Sequence, residues 1–296
     1  MKKLLITGAS GFLGWNLCRA AADRWQVYGT YFSQKVAIPH AKIFKVDLRD
    51  FKAIAELFKT IQPDAMIHTA AASSPNFCQL NPEESYGINV LASMNIARLC
   101  REYGVHCAFT STDLVFDGEG SFYTETDAVS PVCTYGEQKV LAEIKMSEIT
   151  EAIALCRMPL MFGIPSPASA SVIQGTIDNL KAGKEVNLFV DEFRTPASGS
   201  TAAAGLLLAV EQKITGILHL GGKKRISRYD LGLLLADVWH LPSELIKPGK
   251  QADVPMAAKR SPDTSLDSSK AFSLGYQPLS LPEELAKIWQ AEQLGI

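Results

Sequence analysis

The eleven residues from Leu4 to Gly14, LLITGASGFLG, constrain this chain more than any other stretch. Leu4, Leu5 and Ile6 form an apolar run suited to a parallel strand covered on both faces. Gly8, Gly11 and Gly14 follow at the spacing G-x-x-G-x-x-G, and a helix opens at Phe12. A dinucleotide's pyrophosphate needs backbone N–H groups at close range, where side chains would hold it off. The helix then points its positive end at those phosphates. Gly8, Ser10, Gly11, Phe12, Leu13 and Gly14 are the candidate contacts. Strand-to-helix turns also use glycine for backbone reasons alone; the strand before and the helix after favour the dinucleotide.

Downstream, short apolar runs alternate with amphipathic stretches, the pattern of βαβ units and a parallel sheet. Strands are expected over residues 26–32, 41–46, 65–68, 107–110 and 152–156, with helices over 12–22, 51–61, 81–103 and 134–150. This predicts an α/β fold, a doubly wound parallel sheet of Rossmann type, over residues 1–158. Pro159, Gly163, Pro165 and Pro167 break the rhythm. Residues 159–296 are expected to form a smaller C-terminal substrate-binding lobe, some of whose elements pack back on the first domain. Helical patterns remain there at 171–182, 201–212, 228–239 and 282–293.

The chain has 296 residues and a formal net charge of −2. That balance offers no basic field for nucleic acid and no polybasic membrane patch. MKKLLI imitates a signal peptide only as far as Thr7, and no stretch approaches a membrane span. A soluble, cytoplasmic protein is expected. Its six cysteines show no metal-ligand spacing and read as buried reduced thiols. The histidines show no metal-like spacing either, and no metal site is expected; His68, at a strand end, reads as a core or turn residue. Leucine runs at 206–208 and 231–235 are helical core or a subunit contact, compatible with a homodimer.

Tyr135 and Lys139 are four residues apart, so on a helix they share a face. An ammonium beside a phenol favours the phenolate and makes the pair a candidate acid–base unit. An ordinary surface pair has the same spacing. Ser111-Thr112-Asp113 follows the fifth strand, at the sheet edge where sites collect. A hydroxyl there can hydrogen-bond a carbonyl, and equally can cap a turn. Glycine turn, hydroxyl and Tyr-x-x-x-Lys in this order form a rarer set than any one of them.

That ordered set resembles the extended short-chain dehydrogenase/reductase family. Thr7–Gly14 matches its glycine loop, His68-Thr-Ala-Ala-Ala72 its alanine-rich turn and Asn89 its helix asparagine. Residues 111–118, 123–125, 193–196 and 260–267 resemble the dTDP-4-dehydrorhamnose reductase group within it. The resemblance implies that Tyr135 passes a proton to a carbonyl oxygen as hydride arrives, that Lys139 holds the nicotinamide ribose, and that Thr112 orients the carbonyl. It places Asp47 and Leu48 by the adenine, and Ala70, Ala71, Ala72, Asn89 and Ser111 along the cofactor. Asp113 and Arg194 become candidates for the sugar nucleotide, Arg194 through its planar fork or else as a salt-bridge residue. Arg157 and Arg260 have weaker claims.

NAD binders of this fold place an acid after the second strand. Here Tyr31, Ser33 and Lys35 stand in that region without an acid, so NADP is expected, with NAD as the alternative. The related dehydratases carry a glutamate where this chain has Leu114, which argues against elimination. The resemblance thus implies an NAD(P)-dependent reductase of a 4-keto sugar nucleotide. A sugar-nucleotide epimerase, and a regulatory subunit like the β subunit of methionine adenosyltransferase, are the alternatives.

Overall fold

The structure, a computed structural model, describes residues 1–294. The first half contains β1 (Lys3–Thr7), α1 (Phe12–Ala21), β2 (Gln26–Tyr31), β3 (Ala41–Lys45), α2 (Phe51–Ile61), β4 (Ala65–His68), α3 (Pro75–Leu80), α4 (Pro82–Tyr86), α5 (Ala92–Tyr103), β5 (His106–Thr112), α6 (Thr134–Ile149) and β6 (Ile153–Met158). The second contains β7 (Met161–Phe162), α7 (Gln174–Lys181), β8 (Val186–Phe189), β9 (Phe193–Arg194), β10 (Ala197–Ser198), α8 (Gly199–Glu211), β11 (Gly216–His219), β12 (Ile226–Ser227), α9 (Arg228–Trp239), β13 (Ile246–Gly249), α10 (Ser269–Ser273) and α11 (Leu281–Gln293).

Seven parallel strands form the central sheet in the order β11-β6-β5-β4-β1-β2-β3. The expected doubly wound Rossmann-type sheet is therefore present. β1 lies between β2 and β4, so the chain leaves it in opposite directions on its two sides. A crevice opens above the carboxyl ends of the strands at such a switch point. One face of the sheet packs on α1 and α8 through Leu17, Cys18, Leu206 and Leu207. The other packs on α2, α5 and α6 through Ile54, Phe58, Ile96 and Met146. Each fully buried Leu, Ile or Phe contributes about 1.5–3 kcal/mol over its exposed state. A third cluster joins α7, α9 and α11 around Phe162, Ile177, Leu235 and Leu285.

Local chemistry explains the element ends. Asp50 caps α2 by accepting from the backbone N–H groups of Lys52 and Ala53 at 3.0 and 3.2 Å. Gly104 ends α5 in the left-handed region, at φ 65°. Residues 81–103, expected as one helix, instead carry a π-turn at Gly87–Leu91 between α4 and α5. The wider turn lets the Asn89 side chain clamp the backbone of Ala72, a contact 17 residues away. α8 and β11 come from the second half of the chain but complete the layers of the sheet. All six cysteines are buried and free. No helix among the described residues is long and apolar enough to cross a membrane.

Arg157, on β6, is buried against Glu143 of α6, with Nε–Oε1 at 3.1 Å and Nη2–Oε2 at 2.9 Å. Its Nη1 is buried with no hydrogen-bond partner among the described residues. Arg157→Ala strands the Glu143 carboxylate and is expected to cost roughly 3–5 kcal/mol. Urea unfolding of the two proteins measures this; a loss under 1 kcal/mol would mean that water or another cation reaches Glu143.

Candidate active site

A cleft of about 720 Å³ opens above the carboxyl ends of β1, β2, β4 and β5. Gly8, Ser10, Gly11, Phe12, Leu13 and Gly14 form its floor. The turn is tight because α1 starts directly against the end of β1. A Cβ on Gly14 would lie 2.2 Å from the Gly8 carbonyl oxygen. No side chain caps α1 and its first turn carries no acid, so the positive end of this ten-residue helix faces the cleft.

Behind the floor, hydrogen bonds fix the turn. Thr7 Oγ1 lies 2.6 Å from His68 Nδ1, and His68 Nε2 lies 3.1 Å from Ser93 Oγ. Ser93 donates to the Asn89 carbonyl at 2.7 Å, so it accepts from Nε2–H and leaves Nδ1 to accept from Thr7. His68 is a neutral core residue, its pKa lowered to about 3 by burial first and by the charge of Lys139 second. Thr7 Oγ1 also accepts from the backbone N–H groups of Thr69 and Ala70. The glycine turn and the alanine turn are thereby held as one unit.

The predicted residues Tyr31, Ser33, Asp47, Leu48, Ala70, Ala71, Ser111 and Tyr135 all line this cleft. Lys35 is exposed and does not. Ala72 and Asn89 stand behind the wall: the Asn89 amide accepts from Ala72 N at 2.9 Å and donates to Ala72 O at 3.1 Å. Asn89 also donates to Gln138 Oε1 at 2.9 Å, and Gln138 Nε2 donates to Ser85 Oγ and to the Pro82 carbonyl. Gln138 therefore locks the helix carrying Tyr135 and Lys139 to the alanine turn. Its position between them in sequence was the only available signal for this role.

Gly136 lets α6 approach the turn after β5 closely, since a Cβ there would lie 2.3 Å from the Leu114 carbonyl oxygen. Thr112 is buried beside the phenol of Tyr135. Its hydroxyl accepts from Leu114 N at 3.2 Å and donates to Asp113 Oδ1 at 3.2 Å. The capping role open in the sequence is thus also filled. Ser111 Oγ, by contrast, is buried in the cleft wall with no hydrogen-bond partner among the described residues. Such an orphan is costly unless a ligand satisfies it.

Burial raises the Tyr135 phenol well above its ordinary value; Cys78, Asp113 and Cys133 act the same way, and only Thr112 opposes them. Lys139 is not among these causes. Lys139 is itself 1% exposed, with Nζ 4.0 Å from the centre of the Phe109 ring. Burial lowers its pKa to about 7, against the opposing pull of Glu143 and Cys78. A basic group depressed in the folded state favours folding fully only above its unfolded value of 10.5, and that contribution is lost as pH falls through 7. Lys139→Met is therefore expected to raise the melting temperature most at pH 6, with a gain that shrinks toward pH 10. A gain independent of pH would mean that the amine keeps an ordinary pKa.

Asp113 and Arg194 are both buried and are paired with each other at 3.4 Å. Arg194 also donates to the carbonyls of Phe193 and Ser261, and Asp113 accepts from Thr264 at 2.9 Å. Arg260 binds Asn76 Oδ1 at 3.1 Å and the Ala258 carbonyl. Residues that sequence reasoning missed also line the cleft, among them Phe32, Arg49, Glu84, Met158, Met161 and residues 168–172. The last lie in the proline-broken loop, tethered to the glycine turn by Ser166 Oγ donating to the Ser10 carbonyl at 2.7 Å. No cluster of His, Cys, Asp or Glu among the described residues could hold a metal ion.

Residues 1–293 match the RmlD substrate binding domain family. The chain belongs to that family. The resemblance to the dTDP-4-dehydrorhamnose reductase group of extended short-chain dehydrogenases/reductases accordingly holds along almost the whole chain. Among RmlD-type relatives, a hypothetical dTDP-4-dehydrorhamnose reductase from Sulfolobus tokodaii has a solved structure that superposes with a TM-score of 0.83. It is 32% identical and the match covers 94% of this chain and 98% of that one. The β subunit of methionine adenosyltransferase 2 from Xenopus laevis is 30% identical over 282 residues, 93% of this chain and 83% of its own. A probable low-salt glycan biosynthesis reductase, Agl14, from Haloferax volcanii is 28% identical over 288 residues, 96% of each chain.

Proposed function

We propose that this RmlD-family chain is an NADP-dependent reductase of a 4-keto sugar nucleotide. The observation that carries the reading is the single cleft that holds the uncapped glycine turn, the orphan Ser111 hydroxyl and the Tyr135 phenol together. The residues fit a dinucleotide: Gly8–Gly14 would hold its pyrophosphate, Asp47 and Leu48 the adenine, and Ala70, Ala71 and Lys139 the ribose nearest the chemistry. When bound, the reduced nicotinamide supplies the hydride.

The chain's own residues supply the proton and the orientation. With its phenol kept protonated by burial, Tyr135 serves as the general acid that a ketone needs as its oxygen gains negative charge. Ser111, its hydroxyl unpartnered at the end of β5, orients that oxygen, while Thr112, whose proton goes to Asp113, holds the turn beside the phenol. Lys139, poised near neutrality, returns a proton to the tyrosine. Asp113 and Arg194 bear on the sugar nucleotide by fixing the turn that carries Thr112. Incubation with NADPH and a panel of 4-keto nucleotide sugars tests the reading: NADPH should be consumed with one of them in equal amount, whereas an epimerase would leave it unchanged.

A second reading is a dinucleotide-binding regulatory subunit; the Xenopus relative is named as a subunit, the β subunit of methionine adenosyltransferase 2. It is favoured by the packing of buried Ala258, Cys78 and Cys133 around Tyr135, which is itself only 8% exposed. NADPH binding with no oxidation across the whole panel would select it.

A further inference from the structure

We propose that Arg49 makes the cleft select a dinucleotide bearing a 2′-phosphate; this rests on the dinucleotide reading above. In such folds the ribose 2′ position lies at the end of the second strand, where an acid takes a hydroxyl and an arginine takes a phosphate. Here Phe32, Ser33 and Gln34 follow β2 in the cleft wall without an acid. The β2–β3 register pairs Tyr31 with Lys45, which brings the chain leaving β3 beside that segment. Arg49 arrives there with its guanidinium carbon 5.4 Å from the centre of the Phe32 ring. It is the one cation lining the cleft among the described residues; the other charged lining residues are Asp47 and Glu84.

Asp47 orients the fork. Arg49 Nε donates to the two Asp47 oxygens at 2.9 and 3.1 Å, and Nη2 donates to Oδ2 at 2.7 Å. A guanidinium carries five N–H donors, so Nη1 and the remaining Nη2 proton stay free for an anion. The side chain is 40% exposed, open to a ligand and dispensable to the core. A phosphate dianion offers the planar fork the bidentate geometry that a ribose hydroxyl cannot.

Calorimetric titration of the full chain with 2′,5′-ADP and with 5′-ADP reads the selectivity without any turnover. The wild-type protein should bind 2′,5′-ADP more tightly. Arg49→Ala should weaken 2′,5′-ADP roughly 10- to 100-fold, leave 5′-ADP unchanged and keep the wild-type melting temperature. Lys35→Ala should keep the preference. A preference retained in Arg49→Ala, or missing from the wild-type protein, overturns the proposal while leaving the dinucleotide site intact. Recovery of the preference in Arg49→Ala with Asp47→Asn would show that the single variant acted through a freed carboxylate, and would overturn it too. A wild-type protein that binds neither ligand, nor NADPH or NADH, would instead overturn the cofactor reading.

Discussion

Tyr135→Phe is expected to lower ketone reduction by ~10²–10⁴-fold while NADPH binds as before. The substitution removes only the hydroxyl from a side chain packed by Cys78, Cys133 and Ala258, so the ring still fills its site. What disappears is the phenol proton assigned above to the reacting oxygen. Ser111 can still orient the ketone, but its hydroxyl does not give up its proton near neutral pH. Steady-state rates with a nucleotide ketone, beside fluorescence titration with NADPH, separate the two effects. Undiminished turnover in Tyr135→Phe would remove the phenol from the chemistry.

Gly14→Ala is expected to damage the site from the backbone side. Its new methyl would lie 2.2 Å from Gly8 O, 2.7 Å from Gly8 C and 2.9 Å from Ala9 Cα, all of them backbone atoms that cannot swing aside. α1 must move off the end of β1, which opens the turn and re-aims its N–H groups. Overpacking of this kind costs roughly 1–3 kcal/mol of stability, occasionally more. Hydrogen bonds to a charged group are worth about 1.5–3 kcal/mol, so affinity for any dinucleotide should fall at least ~10-fold. Thermal unfolding and titration with 5′-ADP measure both losses. Wild-type affinity in this variant would place the pyrophosphate elsewhere.

The glycine turn was legible because its chemistry is local: an apolar strand, three glycines and a helix start all lie within eleven residues. The same holds for Tyr135 and Lys139, which one helical turn places together, and for the alternation that yields the parallel sheet. The rest depends on neighbours distant in sequence. Arg49 reaches Phe32 only through the pairing of β2 with β3, and so carries no signal in its own segment. The π-turn at Gly87–Leu91 answers to a clamp between Asn89 and Ala72. Arg194 looked available for a ligand because its partner Asp113 lies 81 residues earlier in the chain. β11 was missed because it lies beyond the proline-broken stretch and joins the sheet only through its pairing with β6. Burial is likewise invisible in a four-residue spacing: it holds the Tyr135 phenol up and brings Lys139 down to about 7.

The most direct measurement is a crystal structure of the full chain with NADP⁺ bound. The pyrophosphate should rest on the N–H groups at the start of α1, the 2′-phosphate by Arg49, and the nicotinamide against the Tyr135 phenol. A nicotinamide turned away from Tyr135, or a dinucleotide seated outside this cleft, would contradict the assignment of the reductive chemistry to these residues.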